Sequence, residues 1–398
     1  MTYIEEAPLI WLIAGEPSGD LIGARLIDAL NKRVGGRFRV TGIGGEAMES
    51  AGLQSRFPIS DIAVMGLVEI IPRIPLIKRR MRETIAQIKQ DQPAIVVSID
   101  VPGFCYDVWK ALRGSGIPIV HYVAPTVWAW RPGRAKKFAR ELHHLMALLP
   151  FEPPYFEKEG LDCTFVGHPV LEGGADKGDG ARFRQQHGIA SGDTAICVLP
   201  GSRSGELKRM AEVFRQSAAT IAEKYPDAVF VFPTVSYLSE TVTEIARPWP
   251  GRTVVVSSIS EKFDAMQACN VAMAASGTVS LELAMARVPH IVAYQMNALT
   301  VRIVKLLHGM NQKFVNLVNI LLDREIIPEF IQERCRSDLI ADYMCKLLDD
   351  PEAREEQAKS IDSALSMLRP ASGSPSDAAA SVVASLLAPL CNPDLEKR

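Results

Sequence analysis

The chain alternates short runs of Ile, Val and Leu with longer segments of helical period, and it does so twice. "LIWLIAG", "RFRVTGIGG", "AIVVSID", "IPIVHYV", "HLMALLP" and "CTFVGHPV" follow one another in the first half. The second half restarts with "TAICVLP", "AVFVFPTV", "RTVVVSS", "NVAMAAS" and "HIVAYQ". Continuous apolar runs separated by helices predict strands buried on both faces, hence parallel sheets covered by helices on each side. The expected fold is therefore α/β, with two Rossmann-like doubly wound domains facing a cleft. A polar, Gly-rich stretch, Glu172 to Gly192, separates the halves. We place the domains at 1–170 and 171–398, the second ending in a helical extension from about Thr300 and a weak last helix after "RPASGSPSD".

The 398 residues are 47% hydrophobic, which provides for two cores. A formal charge of −2 argues against nucleic acid as a general partner. Seven cysteines without a C-x-x-C pair, an odd number, suit a reducing compartment better than a disulfide framework. The cytosol is therefore the default, and the N-terminal apolar run follows acids instead of Lys or Arg, which argues against a signal peptide. No run reaches the roughly 18 to 20 apolar residues of a membrane span.

In doubly wound sheets ligands bind at the carboxyl ends of strands, so the loops there hold the candidates. Ser276, Gly277 and Thr278 stand between a strand and a helix, where free N–H groups and the helix dipole favour a phosphate. Glu282, one turn in, can accept hydrogen bonds from ribose hydroxyls; an ordinary Ser/Thr cap with a half-exposed Glu is the competing reading. Arg203, in "VLPGSRSGE", can neutralise a departing diphosphate. No Asp-x-Asp and no His/Cys cluster supports a metal site. In the first half, "GEPSGDLIGARL" offers Glu16, Ser18 and Asp20. Asp100 ends an apolar strand and precedes Val-Pro-Gly, which makes it a candidate general base or a helix cap. His121 and His168 are further candidates. "GIGGEAM" meets only a loose dinucleotide pattern.

From Ala63 to Ile85, Met65, Leu67, Val68, Ile71, Ile74 and Ile77 are too many apolar residues for one buried face. Lys78, Arg79, Arg80 and Arg82 follow. Such a segment can lie on an anionic membrane surface, hold an acyl chain or form a buried loop. Its two prolines are expected to break any single long helix.

"AGEPSGD", "VSIDVPGF", "HYVAPTVWAW", "LPGSRSGE" and "SGTVSLELA" occur in that order. Together they resemble the lipid-A-disaccharide synthases of Gram-negative bacteria, over about Leu9 to Glu329. The resemblance implies a metal-independent GT-B glycosyltransferase without cofactor. It would join UDP-2,3-diacylglucosamine to 2,3-diacylglucosamine 1-phosphate, giving a β-1,6 disaccharide and UDP. It also implies a cytoplasmic protein on the inner-membrane surface and leaves room for a homodimer. On the matching motifs, Asp100 would be the base and Arg203 would contact the diphosphate. Ser276, Gly277, Thr278 and Glu282 would hold the nucleotide, and Asn319 in "NLVNILLDREIIPE" would lie near the cleft. Glu16, Asp20 and His121 stay open as alternative bases. A UDP-sugar epimerase and a non-catalytic nucleotide-binding protein are the rival functions.

Overall fold

The computed structural model describes residues 7–63, 67–129, 133–202, 204–275, 279–295 and 313–391, with backbone alone for 67–70, 204, 259 and 388–391. The chain forms two compact units, residues 1–169 with 368–398, and residues 170–367.

The first unit holds seven parallel strands: β1 (Leu9–Ala14), β2 (Arg39–Ile43), β3 (Gln54–Ser55), β4 (Ile95–Ile99), β5 (Ile119–Tyr122), β6 (His144–Ala147) and β7 (Cys163–Phe165). Their spatial order is β3-β2-β1-β4-β5-β6-β7. Alternate residues of each strand feed two cores. Trp11, Ile13, Val96 and Ile119 pack on one side with Phe104, Val108 and Trp109, while Ile10, Leu12, Val97 and Val120 pack on the other with Leu26 and Leu30. Burial on both faces is what the unbroken apolar runs require. Gly42, at φ 145°, lies so close to β1 that a Cβ would stand 1.9 Å from the Leu12 carbonyl oxygen, so only glycine fits.

The second unit holds six parallel strands: β8 (Ala195–Leu199), β9 (Val229–Pro233), β10 (Arg252–Val256), β11 (Val271–Ala275), β12 (His290–Tyr294) and β13 (Glu329–Ile331), ordered β10-β9-β8-β11-β12-β13. The helix Ser204–Lys224 covers one face with Leu207, Met210, Phe214, Ala218 and Ile221, all fully buried. That inner face follows from their three- and four-residue spacing.

Three expectations need correction. The last helix, Pro375–Cys391, belongs to the first unit, not the second, because Ala379, Ala380, Val383 and Leu387 complete the core that Leu26 and Leu30 begin. The region after Lys313 is not simply helical, since β13 adds a sixth strand at the sheet edge. The helix Leu67–Asp91 runs unbroken through Pro72 and Pro75. Residues 71–75 are all exposed, so water can replace the two helix hydrogen bonds that the prolines remove.

Replacing Val383 with Asp puts an unpaired charge into the first unit's core and should cost about 3 kcal/mol or more. Thermal unfolding should then begin at a clearly lower temperature; an unchanged profile would show that this helix contributes little to the unit.

Candidate functional site

The strand order reverses at one place in each sheet, between β1 and β4 and between β8 and β11. Connections leave such a pair in opposite directions, so the loops at the strand carboxyl ends part and leave a crevice.

In the first unit that place holds Glu16 and Asp100. Glu16 is half-buried with extended backbone at the start of the helix Pro17–Val34, and Ser18 is exposed. Asp100 ends β4, where its N–H donates to the Tyr122 carbonyl (3.0 Å) and its Oδ1 accepts from Val101 N–H (2.8 Å). Among the described residues the other oxygen meets no donor, and the carboxylate is half-exposed. Both Asp100 (φ 57°) and Val101 (φ 48°) are left-handed, which costs roughly 1 to 2 kcal/mol per non-glycine residue. Packing over-determines this turn. A Cβ on Gly15 would stand 2.3 Å from Val101 Cγ2, so the glycine of "AGEPSGD" makes room for the valine of "DVPGF". Pro102 then starts the helix Pro102–Leu112 at once, and Asp100 gives that helix no side-chain cap.

Asp20 has a different task. Its carboxylate accepts from the N–H groups of Gly45 (2.7 Å), Ala47 (3.0 Å) and Met48 (3.1 Å), at the start of the helix Glu46–Ser50. In "GIGGEAM" the protein's own carboxylate thus occupies the helix end where the dinucleotide pattern would bring a phosphate. His121 is fully buried in the sheet. Its Nδ1 lies 2.9 Å from Ser98 Oγ, which also accepts from Trp109 Nε1 (3.0 Å). Burial pushes the ring down to about 3, so it is neutral and out of reach of any substrate. His168 is lowered to about 4 for the same reason.

Sequence reading missed Glu152. It is buried in the loop after β6, where Oε1 accepts from Trp128 Nε1 (3.1 Å) and Oε2 from the N–H groups of Leu148 (3.1 Å) and Leu149 (3.0 Å). It therefore ties the "HYVAPTVWAW" loop to the neighbouring strand end. Burial pushes its carboxyl up to about 7 in spite of these bonds.

In the second unit a cavity of about 420 Å³ opens at the carboxyl ends of β8, β9 and β11, lined by Gly201, Ser202, Thr234, Val235, Ala275 and Val279. Among the described residues, Glu206, Lys262 and Glu282 supply its charges. Glu282 Oε2 is 2.5 Å from Lys262 Nζ. Lys262 also escaped the sequence reading, since it sits 20 residues from its partner on the helix Ile259–Gln267. Arg203, Ser276, Gly277 and Thr278 lie outside the described residues. Their described neighbours Ser202, Ala275 and Val279 all line this cavity.

Asn319 is fully buried and fully bonded. Its Oδ1 accepts from Ile326 N–H (2.8 Å) and Ile327 N–H (2.9 Å), and its Nδ2 donates to the Ile327 carbonyl (2.7 Å) and Glu329 Oε1 (2.9 Å). It braces the start of β13. Nearby, Asn316 Nδ2 donates to Ser280 Oγ (2.6 Å), which lies 2.8 Å from His290 Nε2, and this pins the helix that carries Glu282 to the core.

In the helix Leu67–Asp91, Ile71 is 66% and Ile74 38% exposed, whereas Ile77 packs on the first unit's core. Met65 and the side chains of Leu67 and Val68 lie outside the described residues. Arg80 is held by Asp61 (2.7 Å) and lies over the Phe57 ring (4.6 Å), so Lys78, Arg79 and Arg82 carry the exposed charge.

The family model described as lipid-A-disaccharide synthetase matches residues 10–383. The chain belongs to the lipid-A-disaccharide synthase family. Membership makes it a glycosyltransferase of lipid A biosynthesis, which sets aside the epimerase and non-catalytic readings. Lipid-A-disaccharide synthase of Rhodospirillum centenum is 48% identical over 89% of this chain and 88% of its own. That of Paramagnetospirillum magneticum is 46% identical over 94% and 96%. Among solved structures, UDP-GlcNAc 2-epimerase of Neisseria meningitidis bound to UDP-GlcNAc overlaps 96% of this chain and 99% of its own at a TM-score of 0.62 and 12% identity. MurG of Acinetobacter baumannii overlaps 95% and 99% at 0.58 and 14%. These likenesses show the fold, the GT-B arrangement of glycosyltransferases and epimerases.

Glu152 makes a pH prediction. Folding raises its pKa from the ordinary 4.5 to about 7, so between those values the folded state binds more protons than the unfolded chain. Its contribution to stability is then present below about pH 4.5 and lost as pH rises through 7. Denaturation midpoints taken from pH 5 to 8 should decline more steeply in the wild type than in Glu152→Gln; parallel curves would contradict this.

Proposed function

We propose that the chain transfers the sugar of UDP-2,3-diacylglucosamine to 2,3-diacylglucosamine 1-phosphate, forming the β-1,6 disaccharide and releasing UDP. The observation that carries this reading is that a member of this family has both a strained, half-exposed Asp100 at the switch point of one unit and a charged, nucleotide-sized cavity at that of the other. Asp100 takes the proton of the acceptor hydroxyl as its oxygen bonds to the anomeric carbon. The bond from that carbon to the diphosphate oxygen breaks, and its electron pair leaves with UDP. Attack opposite the leaving group inverts the centre. Glu282 accepts the ribose hydroxyls, while Arg203 and the backbone of Ser276 to Thr278 meet the diphosphate. Glu16, within the same strand-end region as Asp100, serves the acceptor sugar together with Ser18.

Two substitutions test this division. Asp100→Asn is nearly isosteric; it should leave UDP binding intact and lower turnover by roughly 10² to 10⁴. Arg203→Ala should cost about 3 kcal/mol in the transition state, or two to three powers of ten in turnover, and weaken UDP binding too. Near-normal turnover of Asp100→Asn across the pH range would move the base to Glu16, since Asp20 and His121 are committed to the fold.

We further infer that exposed Ile71 and Ile74, with Lys78, Arg79 and Arg82 beyond them, rest on an anionic membrane surface where diacylated substrates reside. Among the described residues no helix is long and apolar enough to cross a bilayer. Ile71→Ser with Ile74→Ser should reduce binding to phosphatidylglycerol vesicles without shifting thermal unfolding. Unchanged vesicle binding would sink the interfacial reading.

A further inference from the structure

The second unit's cavity poses an electrostatic problem. If it holds a nucleoside diphosphate, as proposed above, then Glu206 and Glu282 bring two negative charges to a site built for an anion. Among the described residues that line it, Lys262 is the one cation. It stands in the first turn of the helix after β10, and its Nζ reaches Glu282 Oε2 at 2.5 Å, with both side chains about a quarter to a third exposed. A glutamate side chain has three rotatable bonds, so an unheld Glu282 would sample several positions and lose entropy on meeting a ligand. An ammonium on one oxygen fixes the carboxylate, cancels its charge next to the diphosphate and leaves Oε1 as the accepting edge.

We propose that Lys262 is a positioning residue for the nucleotide: by holding Glu282 through one oxygen it presents the other to the ribose hydroxyls, and so sets the preference of this site for ribonucleotides over 2′-deoxyribonucleotides. The inference rests on the nucleotide reading of the cavity and adds a residue to it. Lys262 acts through Glu282, and the Ser280 contacts with Asn316 and His290 hold the other end of the same arrangement by fixing the Glu282 helix.

The test is calorimetric binding of UDP and of 2′-deoxy-UDP to the full-length wild type and to Lys262→Met, Lys262→Arg and Glu282→Gln. The wild type should prefer UDP by about tenfold or more, as expected for a hydrogen bond to a charged group. Lys262→Met and Glu282→Gln should each bring that ratio close to one, and Lys262→Arg should restore most of it. A merely structural role for Lys262 would change the affinities together and not their ratio. Equal weakening of both ligands in Lys262→Met, or an unchanged ratio, overturns the inference. A wild type that binds UDP without discrimination removes the ribose role of Glu282, and this inference with it. A wild type that binds neither ligand refutes the nucleotide reading of the cavity.

Discussion

A parallel sheet whose strand order turns back on itself has one place where adjacent loops must part, and the architecture of this protein depends on having two such sheets. At the first switch point the constraint becomes a single contact. Val101 is left-handed, which a β-branched residue adopts only under compulsion, and it fits because Gly15 on the neighbouring strand end has no side chain. Two motifs more than 80 positions apart are thereby one structural unit. Its product is a carboxylate, Asp100, that ends a rigid strand and still faces solvent. At the second switch point, β8 and β11 end at a cavity in which one carboxylate, Glu282, is already ion-paired with Lys262.

Hydrogen bonds divide the acids of this protein into those held by several donors and those held at one edge only. Asp20 answers three backbone donors, Glu152 answers a tryptophan and two backbone donors, and Glu329 bonds the Val315 and Asn316 N–H groups as well as Asn319. A buried carboxylate so engaged cannot bind a substrate without leaving those donors unpaired, at about 1 to 3 kcal/mol each. Asp100 and Glu282 are engaged lightly, each at one edge; Asp100 is half-exposed at a strand end, and Glu282 lines the cavity from the first turn of its helix.

The alternation of apolar runs and helical segments was enough to expect two doubly wound sheets, because strands buried on both faces cannot be disguised by polar residues. It could not show β3 or β13, which have two and three residues and lie at sheet edges. The return of the Pro375–Cys391 helix to the first unit was also hidden, since an apolar, Ala-rich helix does not specify which core it will join. Motif reading put Glu16 and Asp100 at strand ends and Glu282 in the first turn of the helix that follows a strand, and the fold has them there. It could not tell that Asp20 and Asn319 are consumed by backbone groups, because their donors come from turns 7 to 28 residues away. Lys262 and Glu152 escaped for the same reason: neither stands in a recognisable local pattern, and each matters only through a partner that folding brings to it.

The central claim is that one chain couples departure of UDP to bonding of the acceptor. Purified protein given UDP-2,3-diacylglucosamine labelled at the anomeric carbon should release UDP only when 2,3-diacylglucosamine 1-phosphate is present. Each UDP should be matched by one disaccharide carrying the label at a β linkage. Release of UDP without acceptor, a labelled donor returned as its sugar epimer, or a disaccharide of α configuration would contradict the account.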